Sequence, residues 1–293
     1  MSFFRTLLFL LLPALTQAGG FSQSLNLHLR AGSPQPLDGE TDHVRLRTLQ
    51  WNFSASHRQV SLYGNLLYEH QITEPPEFDE LQLGWRNKPW TLQAGRLYAA
   101  FGHYDTLLLN DPLPLYLGET RIEGVQGGWE DDTRQLVLFA RPDWDGHGSR
   151  WGGSAGYTLP FGQAETTVHA GWISAMDASG VTAQGPAGWN AHVDINSSQW
   201  RLLAEGVAAL EPLDGAYPAT WQLEGEYSWQ DWRAAVSWQG SRDAAPLGLP
   251  RQRWSAGLRH QFNRVATLAG EATLDRYAHR DATLFNLQLE LHL

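Results

Sequence analysis

The chain has 293 residues, 31 acidic against 21 basic, a formal charge of −10 at neutral pH and no cysteine. That balance excludes nucleic acid as a partner, since it demands basic surface, and the missing thiols exclude disulfides and thiolate metal sites. Lys88 is the one lysine; the other basic residues are arginines, whose planar fork of donors suits carboxylate and phosphate groups.

The first predicted element is a leader. Arg5, the apolar run from Thr6 to Leu15 and then Thr16-Gln17-Ala18 read as a secretory signal peptide over residues 1–18, cut after Ala18. Its apolar core is shorter than the ~20 residues that span a bilayer as a helix. No longer apolar run follows, so a helical membrane protein is excluded and residues 19–293 form one β domain.

From there the chain alternates with period two, the signature of strands with one apolar and one polar face. Leu25, Leu27 and Leu29 alternate with Asn26, His28 and Arg30. Trp51, Phe53 and Ala55 alternate with Asn52 and Ser54. Trp221, Leu223, Gly225, Tyr227 and Trp229 alternate with Gln222, Glu224, Glu226 and Ser228, and after Gln230-Asp231 the pattern resumes at Trp232. Phe285, Leu287, Leu289, Leu291 and Leu293 close the series. Such segments start near residues 21, 47, 58, 79, 89, 119, 133, 150, 163, 188, 199, 219, 232, 251, 264 and 282. Their number is even, as a bacterial single-chain barrel requires.

Connections alternate between short, as at 230–231, and long, as at 98–118, giving seven turns at one end and eight loops at the other. Tryptophan follows the same division. Trp85, Trp90, Trp129, Trp200, Trp229 and Trp232 flank short turns, and Trp151, Trp172, Trp189, Trp221, Trp238 and Trp254 lie beside long loops; Trp144 alone falls in a loop. Two aromatic belts at two bilayer interfaces produce that distribution. The predicted fold is therefore all-β, a transmembrane antiparallel β-barrel of about sixteen strands, with the tryptophan face toward lipid and the charged face toward water. Strand one begins almost at the leader's end, leaving no room for a plug domain, and a bore of this width leaves an aqueous channel.

On the lumen parity Asp194, Glu205, Glu224 and Glu226 come from three consecutive strands, and Arg233, Arg253 and Arg259 from the next two. Arcs of opposite sign either set up a transverse field that sorts solutes by charge, or neutralise one another as ion pairs that stiffen the wall. The longest loop runs within the segment from Gly95 to Arg121. Leu107-Leu108-Leu109 is apolar where an exposed loop should be polar, and Asp111-Pro112 with Pro114 stiffens the second half of the loop. The loop is expected to fold against the inner wall as a constriction; packing on the rim or on a neighbouring protomer is the alternative.

The same loop carries Gly95, Tyr98, Phe101-Gly102, Asp111-Pro112-Leu113 and Leu117-Gly118-Glu119-Thr120-Arg121, a series over about thirty residues. It resembles that of the legiobactin-type siderophore porin family of outer-membrane barrels, with Ala100 standing where the family pattern has proline. The resemblance implies passive passage of a ferric chelate or another small anionic solute. It also marks Tyr98, Phe101, Asp111, Glu119 and Arg121 as constriction residues.

Catalysis requires a nucleophile, a base and an orienting group within reach. His103, His147, His169 and His192 offer bases, but none sits in a motif with a serine or an acid, and His103-Tyr104-Asp105 is expected to splay on an extended chain. His28 and His292 lie on strands that must meet at closure, but toward opposite ends. No enzyme, cofactor or metal site is therefore expected; a barrel lipase or protease and a purely structural or adhesive barrel are the rivals to a channel. The expected partners are outer-membrane lipid and a small polar or anionic solute, with homotrimers by analogy of fold.

Overall fold

The computed structural model describes residues 20–32, 45–69, 77–143, 148–177 and 185–292. The leader, Trp144 and His147 lie outside them. Sixteen strands are present among the described residues: β1 Gly20–Gly32, β2 Arg45–His57, β3 Val60–Glu69, β4 Glu77–Asn87, β5 Trp90–Tyr98, β6 Arg121–Glu130, β7 Arg134–Arg141 and β8 Arg150–Phe161, then β9 Ala164–Ile173, β10 Gly188–Asn196, β11 Trp200–Ala209, β12 Ala219–Trp229, β13 Trp232–Arg242, β14 Gln252–Gln261, β15 Ala266–Arg276 and β16 Asp281–His292. Every one begins within two residues of the start expected from the periodicity. One short helix, α1 Leu113–Gly118, lies between β5 and β6.

Each strand pairs antiparallel with its chain neighbours, and β1 pairs with β16, closing the sheet into a barrel. Closure leaves no free edge, which the hydrocarbon interior of a bilayer would otherwise leave without hydrogen-bond partners. His28 pairs with Gln288 and His292 with Ser24, so the two histidines stand four positions apart along the seam.

The burial pattern is that of a membrane barrel turned inside out relative to a soluble protein. On β12 Leu223 is 51% exposed while its neighbour Glu224 is 1% exposed, and on β13 Val236 is 64% exposed beside Ser237 at 4%. The apolar parity faces outward and the polar parity inward. Aromatic rings gather at both ends of the outer face. Trp229, Trp232, His260 and Phe262 form a contiguous row beside the short turns, the Trp232 and His260 rings 4.1 Å apart. Trp221, Trp238 and Trp254 form another beside the long connections.

Length separates the two ends less cleanly than the sequence suggests. The β15–β16 connection spans only 277–280, closed by the Tyr277 N–H donating to the Arg280 carbonyl at 2.8 Å, and the β14–β15 turn spans 262–265. Alternation along the chain, rather than length, assigns that connection to the long-loop end.

An apolar cluster sits within the barrel wall on its inward side. Leu97, Ile122, Phe139, Ile173 and Val207 converge from five strands on Phe101, Leu117 and Met176, all buried. In a lumen that is otherwise polar, this cluster exists to seat the segment that joins β5 to β6.

Candidate functional site

The segment 99–120 crosses the lumen and is held there by carboxylates. Glu205 on β11 accepts from the backbone N–H groups of His103 and Tyr104, at 2.9 and 2.8 Å. Glu224 on β12 accepts from the Thr106 hydroxyl at 2.6 Å and the Leu107 N–H at 2.8 Å. Glu271 on β15 accepts from the N–H groups of Leu109 and Asn110, and the Asn110 amide also donates to it at 2.9 Å. On β13 the Gln239 side-chain oxygen takes the Leu113 N–H at 2.8 Å. Three glutamates from three strands thus grip the loop at steps of three residues, mainly through its main chain.

Apolar contacts complete the seat. Phe101, Leu113 and Leu117 are fully buried, and α1 rests against β11, β12 and β13. Leu108 packs over Ala235 and over Gly257, where an added Cβ would lie 2.7 Å from the leucine's Cδ2, so a side chain at that strand position would have to push the Leu108 side chain aside. The apolar run Leu107-Leu108-Leu109 is what an inward loop needs, because it removes side chains from water that a projecting loop would leave exposed.

The charges expected on the inner face lie there, but most are covered or paired. Glu205 and Glu224 face inward but are buried beneath the loop, so they hold backbone amides rather than meet solute. Asp194 and Glu226 converge on Arg201, which is 2.7 Å from Asp194 and 3.4 Å from Glu226 and also bonds Asp105 of the loop at 2.9 Å. Arg253 is buried, paired in fork geometry with Asp275 at 2.7 and 2.9 Å, and donates to the Asp111 carbonyl at 3.0 Å. Arg233 and Arg259 stand opposite each other in the β13–β14 register, Arg233 exposed, with no acid partner among the described residues. Of the two alternatives, the arrangement is nearer to ion pairs that stiffen the wall, together with buried latches, and Arg233 and Arg259 are left over.

The loop residues singled out by the motif also separate. Phe101 belongs to the apolar seat, and Asp111 is exposed on the loop. Tyr98 donates to Asp79 at 2.9 Å and Arg121 pairs with the same carboxylate at 2.8 Å, at the ends of β5 and β6 and away from the crossing. A bulge between β3 and β4, at Asn65 and Leu66, leaves Asp79 outside the ladder and available to both. Arg201, Gln239, Glu271 and Asp275 are site residues that the sequence reading passed over; the inward parity of Arg201 with Leu203 and Glu205, and of Glu271 with Thr273 and Asp275, was the signal that could have found them.

Glu119, at the C-terminal cap of α1, carries a pH dependence. Burial, with Asp111, Asp79 and Glu80 adding negative charge against the opposing Arg121, pushes its carboxyl up to about 8. The unfolded chain loses that proton near the ordinary glutamate value. Between the two values the folded state therefore holds more protons, and stability falls as pH rises. Glu119→Gln is expected to match the parent at pH 4 and to exceed it at pH 9 by on the order of 3 kcal/mol, read from thermal unfolding midpoints at both pH values.

No protein-family model matches the chain, and no curated protein matches it. Solved structures do. A loop-deletion mutant of OmpT, an outer-membrane protein of Vibrio cholerae, superposes with a TM-score of 0.65 at 10% identity, covering 94% of this chain and 99% of its own. A double mutant of the Rhodopseudomonas blastica porin gives 0.66 at 10% identity, covering 94% and 100%. The outer-membrane channel DcaP of Acinetobacter baumannii gives 0.59 at 13% identity, covering 94% and 96%. At those identities the likeness is one of fold.

Proposed function

We propose that the chain is an outer-membrane channel through which small polar or anionic solutes diffuse down their own gradients. The observation that carries this reading is the loop 99–120 laid across a polar bore and latched by Glu205, Glu224 and Glu271. Such a loop narrows a bore without a separate domain, and the buried carboxylates that hold it are engaged by its donors. Support comes also from the fold shared with the Rhodopseudomonas porin and DcaP, and from the leader read over residues 1–18, which would direct export. Homotrimers are the association we propose by analogy of fold.

The preference for anions rests on Arg233 and Arg259, the inward cations that no acid neutralises among the described residues. A ferric siderophore is the narrower solute we propose, on the Asp111-Pro112-Leu113 and Leu117 to Arg121 motifs. Reconstituted in a planar bilayer under a salt gradient, the parent is expected to conduct in steps and to favour anions. Arg233→Glu with Arg259→Glu is expected to move the reversal potential toward cations, with conductance kept within about twofold. An unchanged reversal potential would remove the two arginines from the permeation path. A barrel that hydrolyses lipid or peptide and conducts nothing would replace the channel reading by the enzymatic one.

A further inference from the structure

We propose that His103, Asp105 and His192 form a binding site for one divalent transition-metal cation of the zinc, copper or nickel kind, set where the loop meets β9 and β10. One ligand atom from each lies within 4.8 Å of those of the other two. The sequence alone gave no sign of this, since nothing in the spacing of residues 103 and 105 brings either of them to residue 192. Here Tyr104 takes a left-handed backbone, φ 53°, with its N–H and that of His103 both drawn to Glu205, and the turn brings the two side chains toward β10. Bonds of about 2.1 Å at tetrahedral angles place ligand atoms about 3.4 Å apart, so binding draws the exposed His103 and Asp105 inward by about an ångström.

An independent observation points to a ligand. His192 is 3% exposed, and its Nδ1 is buried with no hydrogen-bond partner among the described residues. The nearest carboxylate oxygen, Glu205 Oε2, lies 3.9 Å away, too far for a hydrogen bond, and is committed to the Tyr104 N–H. Buried polar atoms are almost always satisfied, and those that are not call for an explanation. The ring lies 4.6 Å from the His103 ring, so the unpartnered imidazole stands beside the other ligands.

A third imidazole stands beside the trio. The His169 ring on β9 lies 4.0 Å from His103, housed against Gly156 of β8, where any Cβ would collide with its Cε1 and Nδ1. Two imidazoles and a carboxylate, with a third imidazole at hand, suit zinc, copper and nickel; calcium and magnesium require oxygen ligands in greater number. Asp105 Oδ2 already receives Arg201, so the metal takes the other oxygen. Three protein ligands leave a coordination position open toward the lumen, where a water or an anionic solute would complete the shell.

Binding does not depend on conduction, so the two readings are tested apart. Untagged, folded protein in detergent is titrated calorimetrically with zinc chloride and with nickel chloride. The expected result is one equivalent bound per chain, undisturbed by millimolar calcium or magnesium, with affinity lowered tenfold or more in His103→Gln and in His192→Gln and less in His169→Gln. His103→Gln changes an exposed loop residue and leaves the barrel's heat-modifiable electrophoretic mobility intact, which guards against misfolding of the buried His192→Gln variant. Absence of binding, binding unchanged in His103→Gln, or equal competition by calcium would each overturn the site. Conductance of the same preparation, measured in parallel, reports on the channel reading alone.

Discussion

Alanine at Glu205, Glu224 and Glu271 together is expected to release the loop and raise single-channel conductance severalfold. Each carboxylate accepts at least two donors from segment 103–110, and a hydrogen bond to a charged group contributes about 2 kcal/mol. Losing seven such bonds outweighs what the apolar seat around Phe101 and Leu117 supplies to the distal half of the loop, which lies beyond that seat. A second readout does not require conduction. Proteinase cleavage between Tyr104 and Leu109 is expected in the triple variant and absent in the parent, because cleavage needs a segment that can leave the wall. The isosteric glutamine variants are expected to fall between, since an amide offers one acceptor oxygen where two donors must be met. Conductance and protease resistance both equal to the parent's would show that the glutamates do not hold the loop.

Arg253→Ala is expected to be the most destabilising single change in the lumen, by about 3–5 kcal/mol, because it strands a buried carboxylate. Asp275 is wholly buried, and Arg253 supplies both arms of the fork that satisfies it. The same guanidinium caps the Asp111 carbonyl just before α1, so the loop loosens along with the wall. Tyr277, 3.5 Å from Asp275, is too long a contact to take over. The checking measurement is the temperature at which the folded, fast-migrating form is lost on electrophoresis. Arg253→Met with Asp275→Leu is expected to recover most of the loss, since it removes the stranded charge along with its partner. Equal destabilisation in the single and double variants would assign the effect to packing rather than to charge.

Architecture was legible in the sequence because a barrel strand is a local object. Trp221 to Trp229 announces its own two faces, and the turn at Gln230-Asp231 announces the next strand, so register and closure follow from counting. The site was legible only as far as parity reaches. Parity places Glu205 and Glu224 inside the barrel but cannot say what lies against them, and their partners are 101 to 118 positions away in the chain. Asp79 lies beyond what parity can read: a single bulge opposite Asn65 and Leu66 breaks the alternation there, and Tyr98 and Arg121 both bond the carboxylate it sets free. Nothing local in the sequence joins His103 and Asp105 to His192, because the left-handed turn at Tyr104 that carries them to β10 is held by Glu205, 101 positions away.

Because the grip on the crossing segment is taken mainly through main-chain amides, it is indifferent to which side chains that segment carries at His103 and Asp111. Scaffold and filter are thereby written in different alphabets, one in the glutamates of the wall and the other in the free positions between successive anchoring points. Lineages of this barrel can exchange the chemistry presented to a passing solute while every anchor stays in place, and a designer can do the same by grafting new residues at those two positions.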